Sequence, residues 1–217
     1  MGPLPTLACL CLAALLTGCA SSGRIGGTVS APGTAKSAPP DGEATSGRAS
    51  KRGSIADAVV YVEKLSPEVD SRLSTPRGKA RIDHVGQEFS PRILVVAAGT
   101  SVEFRNRDSV FHNVFSVSPS KRFDLGRYGP GESRRATFAT PGPVNVYCDL
   151  HPKASAVILV APNKAFARAD SLGRFVLPPL PPGRYVVDVW HPEFPVTRRK
   201  ITVTEGGRAE IGVSLGS

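Results

Sequence analysis

Short apolar runs separated by glycine and proline recur along most of this chain. The segments "AVVYVE" (58–63), "ILVVAA" (93–98), "SVEFRN" (101–106), "VFHNVFSV" (110–117), "RRATFA" (134–139), "VNVYC" (144–148) and "AVILVA" (156–161) have the length and β-branched content of strands. Alternation is clean in "TSVEFRNR", where Val102 and Phe104 point one way and Glu103 and Arg105 the other. Gly99, Gly126, Gly129-Pro130-Gly131 and Pro141-Gly142-Pro143 punctuate the runs. "SIADAVVYVEKLSPEV" has some helical spacing, but its β-branched run favours a strand, so no helix is predicted. Closely spaced short strands of this kind predict an all-β chain built as a β-sandwich.

A second block runs from Ala169 to Leu215, with strands predicted at "RFVL", "YVVDVW", "RKITVT" and "AEIGVSL". Alternation in "YVVDVW" and "KITVT" suits antiparallel strands with one wet face. Four strands in so short a block make a thin core, so the block is expected to lean on other parts of the chain. Residues 19–54 are rich in Gly, Ser, Ala, Pro and Thr and read as a flexible tether, although "RIGGTV" (24–29) has the makings of a short strand.

Composition supports the all-β reading, with 22 Gly and 20 Pro among 217 residues. The 27 Lys and Arg against 18 Asp and Glu give a net charge of +9. These cations are scattered (Lys51-Arg52, Lys121-Arg122, Arg134-Arg135, Arg198-Arg199-Lys200) without interleaved stacking aromatics, which reads as a solvated basic surface and against nucleic acid as a partner. Residues 4–18, "LPTLACLCLAALLTG", are uncharged and meet Cys19, as in a signal peptide, and are too short to span a bilayer. Leu16-Thr17-Gly18-Cys19 resembles the bacterial lipobox. That resemblance implies removal of residues 1–18, lipidation of Cys19 and anchoring to a membrane. Ala20 in place of aspartate then implies the periplasmic side of the outer membrane of a Gram-negative cell. An ordinary secretory signal cut nearby is the other reading.

If Cys19 is acylated and residues 1–18 are removed, Cys148 has no cysteine partner within the folded chain. A free thiol in an oxidising compartment is either buried or binds something. His151 follows three residues later, before Pro152, and His112 lies upstream at the start of a predicted strand. Two imidazoles and one thiolate form the trigonal set that suits a copper electron-transfer site.

"VFHNVFS" followed by "YCDLHP" resembles the cupredoxin family, the plastocyanin-like type 1 copper proteins. The wider pattern over residues 79–161 is similar to bacterial plastocyanin-domain and methylamine-utilisation-protein-like chains. The resemblance implies one copper ion with His112, Cys148 and His151 as equatorial ligands. It implies that Asn113 ties the ligand loops together by hydrogen bonds, and that Tyr147 either passes electrons or packs the sandwich. The family's axial methionine would fall at position 154, which is Ala154, and Met1 is the chain's only methionine. A backbone carbonyl or water at that position, a three-coordinate ion, and a site that no longer binds copper are the open outcomes. His84, in "ARIDHVGQEF", reads as a surface histidine in a turn rather than as a surrogate ligand, and His191 as structural.

"ADSLGRFVLPPLPPGRYVVDVWHPEF" is similar to the carboxypeptidase-regulatory-like β-sandwich module, whose usual first strands correspond to "GGTV" (26–29) and "DAVVYVE" (57–63). The expected organisation is a cupredoxin-like domain over 55–162 and the second module over 163–217. The second module is expected to borrow strands from 24–63, with the copper domain interrupting it or packing against it. The expected function is electron transfer to a redox partner protein rather than catalysis. A non-redox sandwich that binds a partner or merely holds copper is the alternative.

Overall fold

The computed structural model describes residues 21–32, 54–74 and 80–216. The expected signal segment, Cys19 and most of the expected tether lie outside the described residues. Among the described residues there are sixteen strands, in the order β1 (Arg24–Ser30), β2 (Val59–Val62), β3 (Arg81–Val85), β4 (Glu88–Ser90), β5 (Ile93–Ala97), β6 (Thr100–Asn106), β7 (His112–Ser118) and β8 (Lys121–Tyr128). They continue with β9 (Ser133–Phe138), β10 (Gly142–Tyr147), β11 (Ser155–Ala161), β12 (Phe166–Arg168), β13 (Arg174–Val176), β14 (Gly183–His191), β15 (Phe194–Val203) and β16 (Arg208–Ser214).

These strands make two sandwiches. The first pairs a five-stranded sheet, β5-β11-β10-β7-β8, with a four-stranded sheet, β4-β3-β6-β9. Its core holds Ile82, Val102, Phe104 and Phe138 from the smaller sheet against Val114, Val144, Val146, Ile158 and Val160 from the larger. The second pairs β13-β1-β16 with β12-β2-β14-β15 around Ile25, Val60, Val62, Phe175, Val187, Val189 and Val213. The nine strands β3 to β11 are thus inserted between β2 and β12 of the second sandwich.

Three strands with unbroken apolar runs, β2, β5 and β11, lie where the sandwiches meet. Ala156, Ile158 and Val160 of β11 face the first core, while Val157 and Leu159 face Val59, Tyr61 and Trp190 of the second sandwich together with Ile93 and Val95 of β5. A strand buried on both faces reads as a continuous run rather than an alternation. The seam also carries an ion pair between Arg92 Nη2 and Asp57 Oδ2 at 2.6 Å, and Arg168 donates to the Ile93 carbonyl at 3.1 Å.

Several expectations change. The first sandwich does not begin at residue 55, because β2 pairs with β12 and β14 and sends Val60 and Val62 into the second core. Residues 24–30 are the central strand of a sheet rather than tether. Gly27 is needed there, since a Cβ at this position would lie 1.9 Å from the Ile211 carbonyl oxygen of β16. A helix absent from the prediction spans Pro67–Arg72, capped by Ser66, whose hydroxyl accepts from the Val69 N–H. It is too short and too exposed to leave an apolar periodicity. Among the described residues no helix is long and apolar enough to cross a membrane.

Leu159→Ala should cost about 2–4 kcal/mol in denaturant unfolding, because its side chain fills the seam. A loss under about 0.5 kcal/mol, as at a solvated surface position, would contradict the packing of one sandwich on the other.

Candidate metal centre

The start of β7 and the loop after β10 meet at the rim of the first sandwich. Cys148, one residue past β10, is 3% exposed and belongs to the core cluster. His112 opens β7 and is fully buried. His151 is half-buried, on the loop that turns where the Ala154 N–H donates to the His151 carbonyl at 2.8 Å. Cys148 Sγ lies 3.8 Å from His112 Nδ1 and 3.7 Å from His151 Nδ1. An ion bound at about 2.0 Å to imidazole nitrogen and about 2.3 Å to thiolate sulfur, with trigonal angles, would place those atoms about 3.7 Å apart. Each of the two sulfur–nitrogen separations therefore fits a shared metal ion.

Each ligand candidate is held by its neighbours. The Asp108 carboxylate accepts from the backbone N–H of Gly86 at 2.7 Å and of Gln87 at 2.9 Å, and from His112 Nε2 at 2.9 Å. With its proton on Nε2, His112 turns the Nδ1 lone pair toward the sulfur, the orientation that a carboxylate behind a ligating imidazole enforces. Gly86 and Gln87 both have positive φ, 62° and 61°, in the two-residue turn between β3 and β4, and this turn aims both N–H groups at Asp108. Asn106 fixes the loop before His112, donating to the Val110 carbonyl at 2.7 Å and accepting from the Asp108 N–H at 2.9 Å. Asn113 Oδ1 accepts from the Asp149 N–H at 2.8 Å, joining β7 to the cysteine loop.

His84 corrects the expectation of a surface histidine in a turn. It sits in β3 with 0% exposure, stacked on the His112 ring at 4.0 Å and 5°. Its Nδ1 is 2.6 Å from the Tyr128 hydroxyl, and its Nε2 is buried without a partner. A ring nitrogen of His84, a ring nitrogen of His112 and Cys148 Sγ all lie within 4.8 Å of one another. Leaving such a nitrogen dry and unpaired costs about 1–3 kcal/mol. The sequence signal was faint, because Ile82 is the only buried apolar residue of a short strand whose other buried residues, Asp83 and His84, are polar and lie on opposite faces.

The remaining candidates fall away from this cluster or beside it. Ala154 is 1% exposed in the core and offers no side-chain donor. Tyr147 stands on the outer, solvent-facing side of β10, its ring 5.8 Å from Phe115, rather than packing the interior. His191 belongs to the second sandwich, where Nε2 donates to the Ser54 carbonyl at 3.2 Å and Nδ1 accepts from the Glu193 N–H at 3.2 Å.

Burial lowers the pKa of His84 to about 3, with the neighbouring His112 adding to the effect. Burial also lowers His112, against the opposing effect of the hydrogen bond it donates to Asp108. Burial works against ionisation of Asp108, yet the Gln87 and Gly86 N–H groups and His112 outweigh it and hold the carboxyl below its ordinary value. Both buried imidazoles are held toward the neutral form, in which each keeps one ring-nitrogen lone pair.

No protein-family profile and no curated protein matches this chain. Several solved structures are similar to part of it. They include a purple cupredoxin from Nitrosopumilus maritimus, 27% identical over 38% of this chain and 100% of that one, with a TM-score of 0.35. A copper-containing nitrite reductase from Thermus scotoductus SA-01 is 26% identical over 45% of this chain and 27% of its own, with a TM-score of 0.37. A methionine-to-alanine variant of amicyanin in the Cu(I) form is 21% identical over 46% of this chain and 97% of that one, with a TM-score of 0.36.

The metal-free chain should lose stability as pH falls from about 6.5 toward 3, because the unfolded chain takes up a proton on His84 that the folded chain refuses. In pH-dependent denaturant unfolding, His84→Gln should have a shallower slope over that window. Equal slopes would contradict a buried, neutral His84.

Proposed function

We propose that this chain is an envelope-anchored copper protein that carries electrons, with His112, Cys148 and His151 as the equatorial ligands of one ion. The observation that supports this most directly is the convergence of two imidazole Nδ1 atoms on one buried thiol, at separations that match a shared ion. A mixed imidazole and thiolate set suits copper, and Cu(II) is preferred to Zn(II) at such donors by the ordinary order of divalent affinities. A bound copper ion supplies one-electron chemistry, cycling between Cu(II) and Cu(I).

The chain's own residues supply the rest. Asp108 and Asn113 hold the ligand side chains in place, so that little has to move when the charge on the ion changes. Burial of Cys148 keeps water and oxidants from the thiolate. His151, half-buried, is the member of the set that reaches toward solvent, and Val110 and Phe111 just before His112 are exposed. A redox partner protein would approach at this rim. The proposed setting is the periplasm, with lipidated Cys19 holding the chain to the outer membrane, and the proposed role is transfer rather than catalysis.

One equivalent of Cu(II) added to the purified chain should produce an intense visible sulfur-to-copper charge-transfer band and remove the Cys148 thiol from titration. Cys148→Ser should abolish the band, while ascorbate should bleach it and an oxidant restore it. A colourless chain with a fully titratable thiol would contradict copper binding. A band that cannot be cycled would contradict electron transfer and leave a copper-holding protein.

A further inference from the structure

The geometry points to His84 as a fourth copper ligand, binding through Nε2 and completing a site of three imidazoles and one thiolate. This rests on the copper reading above and extends it to a residue outside the trigonal set. Three observations carry it. His84 shares its cluster with His112 and Cys148, with donor atoms within 4.8 Å of one another. Its Nε2 is buried and has no hydrogen-bond partner, whereas most buried polar atoms find one. Its other nitrogen, Nδ1, is engaged by the Tyr128 hydroxyl at 2.6 Å, so Nε2 is the nitrogen left to bind. When Nδ1–H donates to the Tyr128 oxygen, Nε2 carries the lone pair, the same arrangement in which an outer partner fixes the tautomer of a ligating histidine.

The fold explains how His84 reaches the centre. Strand β3 lies beside β6 in the smaller sheet, with His84 in register with Asn106. The turn that follows β3 is clamped to Asp108, the same carboxylate that orients His112. The two histidines are therefore positioned by one anchor and stack as a pair. Ala154, by contrast, brings only a methyl group.

An imidazole is a stronger donor than a thioether. A third nitrogen, as the fourth ligand, would weaken the copper–thiolate bond, favour Cu(II) over Cu(I), and shift charge-transfer intensity from the long-wavelength band to the short-wavelength one. The site would then differ in kind from a trigonal centre with a weak axial sulfur.

The test loads the purified chain with one equivalent of Cu(II) and counts coordinated imidazoles by pulsed electron paramagnetic resonance. Absorption spectra and Cu(II) affinity are recorded on the same samples and on His84→Leu and His84→Met. The expected count is three in the unmodified chain and two in either variant. Intensity should move to the long-wavelength band, the reduction potential should rise, and Cu(II) affinity should fall by about tenfold or more in His84→Leu. Two imidazoles in the unmodified chain, with unchanged variant spectra, would overturn the role of His84 and leave the proposed function standing. No copper at Cys148 in the unmodified chain would overturn both. Should either variant fail to fold, the imidazole count of the unmodified chain decides alone.

Discussion

The candidate site depends on one carboxylate. Asp108 accepts two backbone N–H bonds from the Gly86-Gln87 turn and one from His112 Nε2, linking the turn between β3 and β4 to the start of β7. The β3–β4 turn belongs to the smaller sheet and β7 to the larger, so this joint spans the two layers of the first sandwich. It sets the tautomer of His112, and with it the direction of the lone pair that faces Cys148. The carboxylate stays ionised because three donors outweigh its burial, and the buried imidazoles stay neutral because water is excluded around them.

Much of this was legible in the sequence, and the rest was hidden for physical reasons. Strands β5, β6, β7, β10 and β11 announced themselves through Val, Ile and Phe runs bounded by Gly and Pro. The unbroken runs in β2, β5 and β11 carried more information than their strand character, since each marks a strand buried on both sides by the neighbouring sandwich. Strand β8, "KRFDLGRY", was missed because only Phe123, Leu125 and Tyr128 join the core and four of its other five residues are charged. Strand β3 was missed because two of its three buried residues, Asp83 and His84, are polar. Cys148, His112 and His151 were readable by residue type and spacing. The burial of His84 beside them was not, since a lone histidine near a turn gives no sign of which sheet face it will occupy.

The insertion of one sandwich into the other has a structural consequence for the site. The seam of Val59, Ile93, Leu159 and Trp190 covers the outer face of β5 and β11, and β11 lies next to β10, which leads directly into Cys148. The second module thus stiffens the sheet from which the thiolate is presented. The ligand rim lies at the ends of β7 and β10, where Val110, Phe111 and part of His151 remain open.

The most direct test of the account is a crystal structure of the copper-loaded chain with anomalous data collected on either side of the copper absorption edge. One strong copper peak is expected within bonding distance of His112 Nδ1, His151 Nδ1 and Cys148 Sγ. A structure with no copper peak between those three atoms, or with the metal bound elsewhere on the chain, would contradict it.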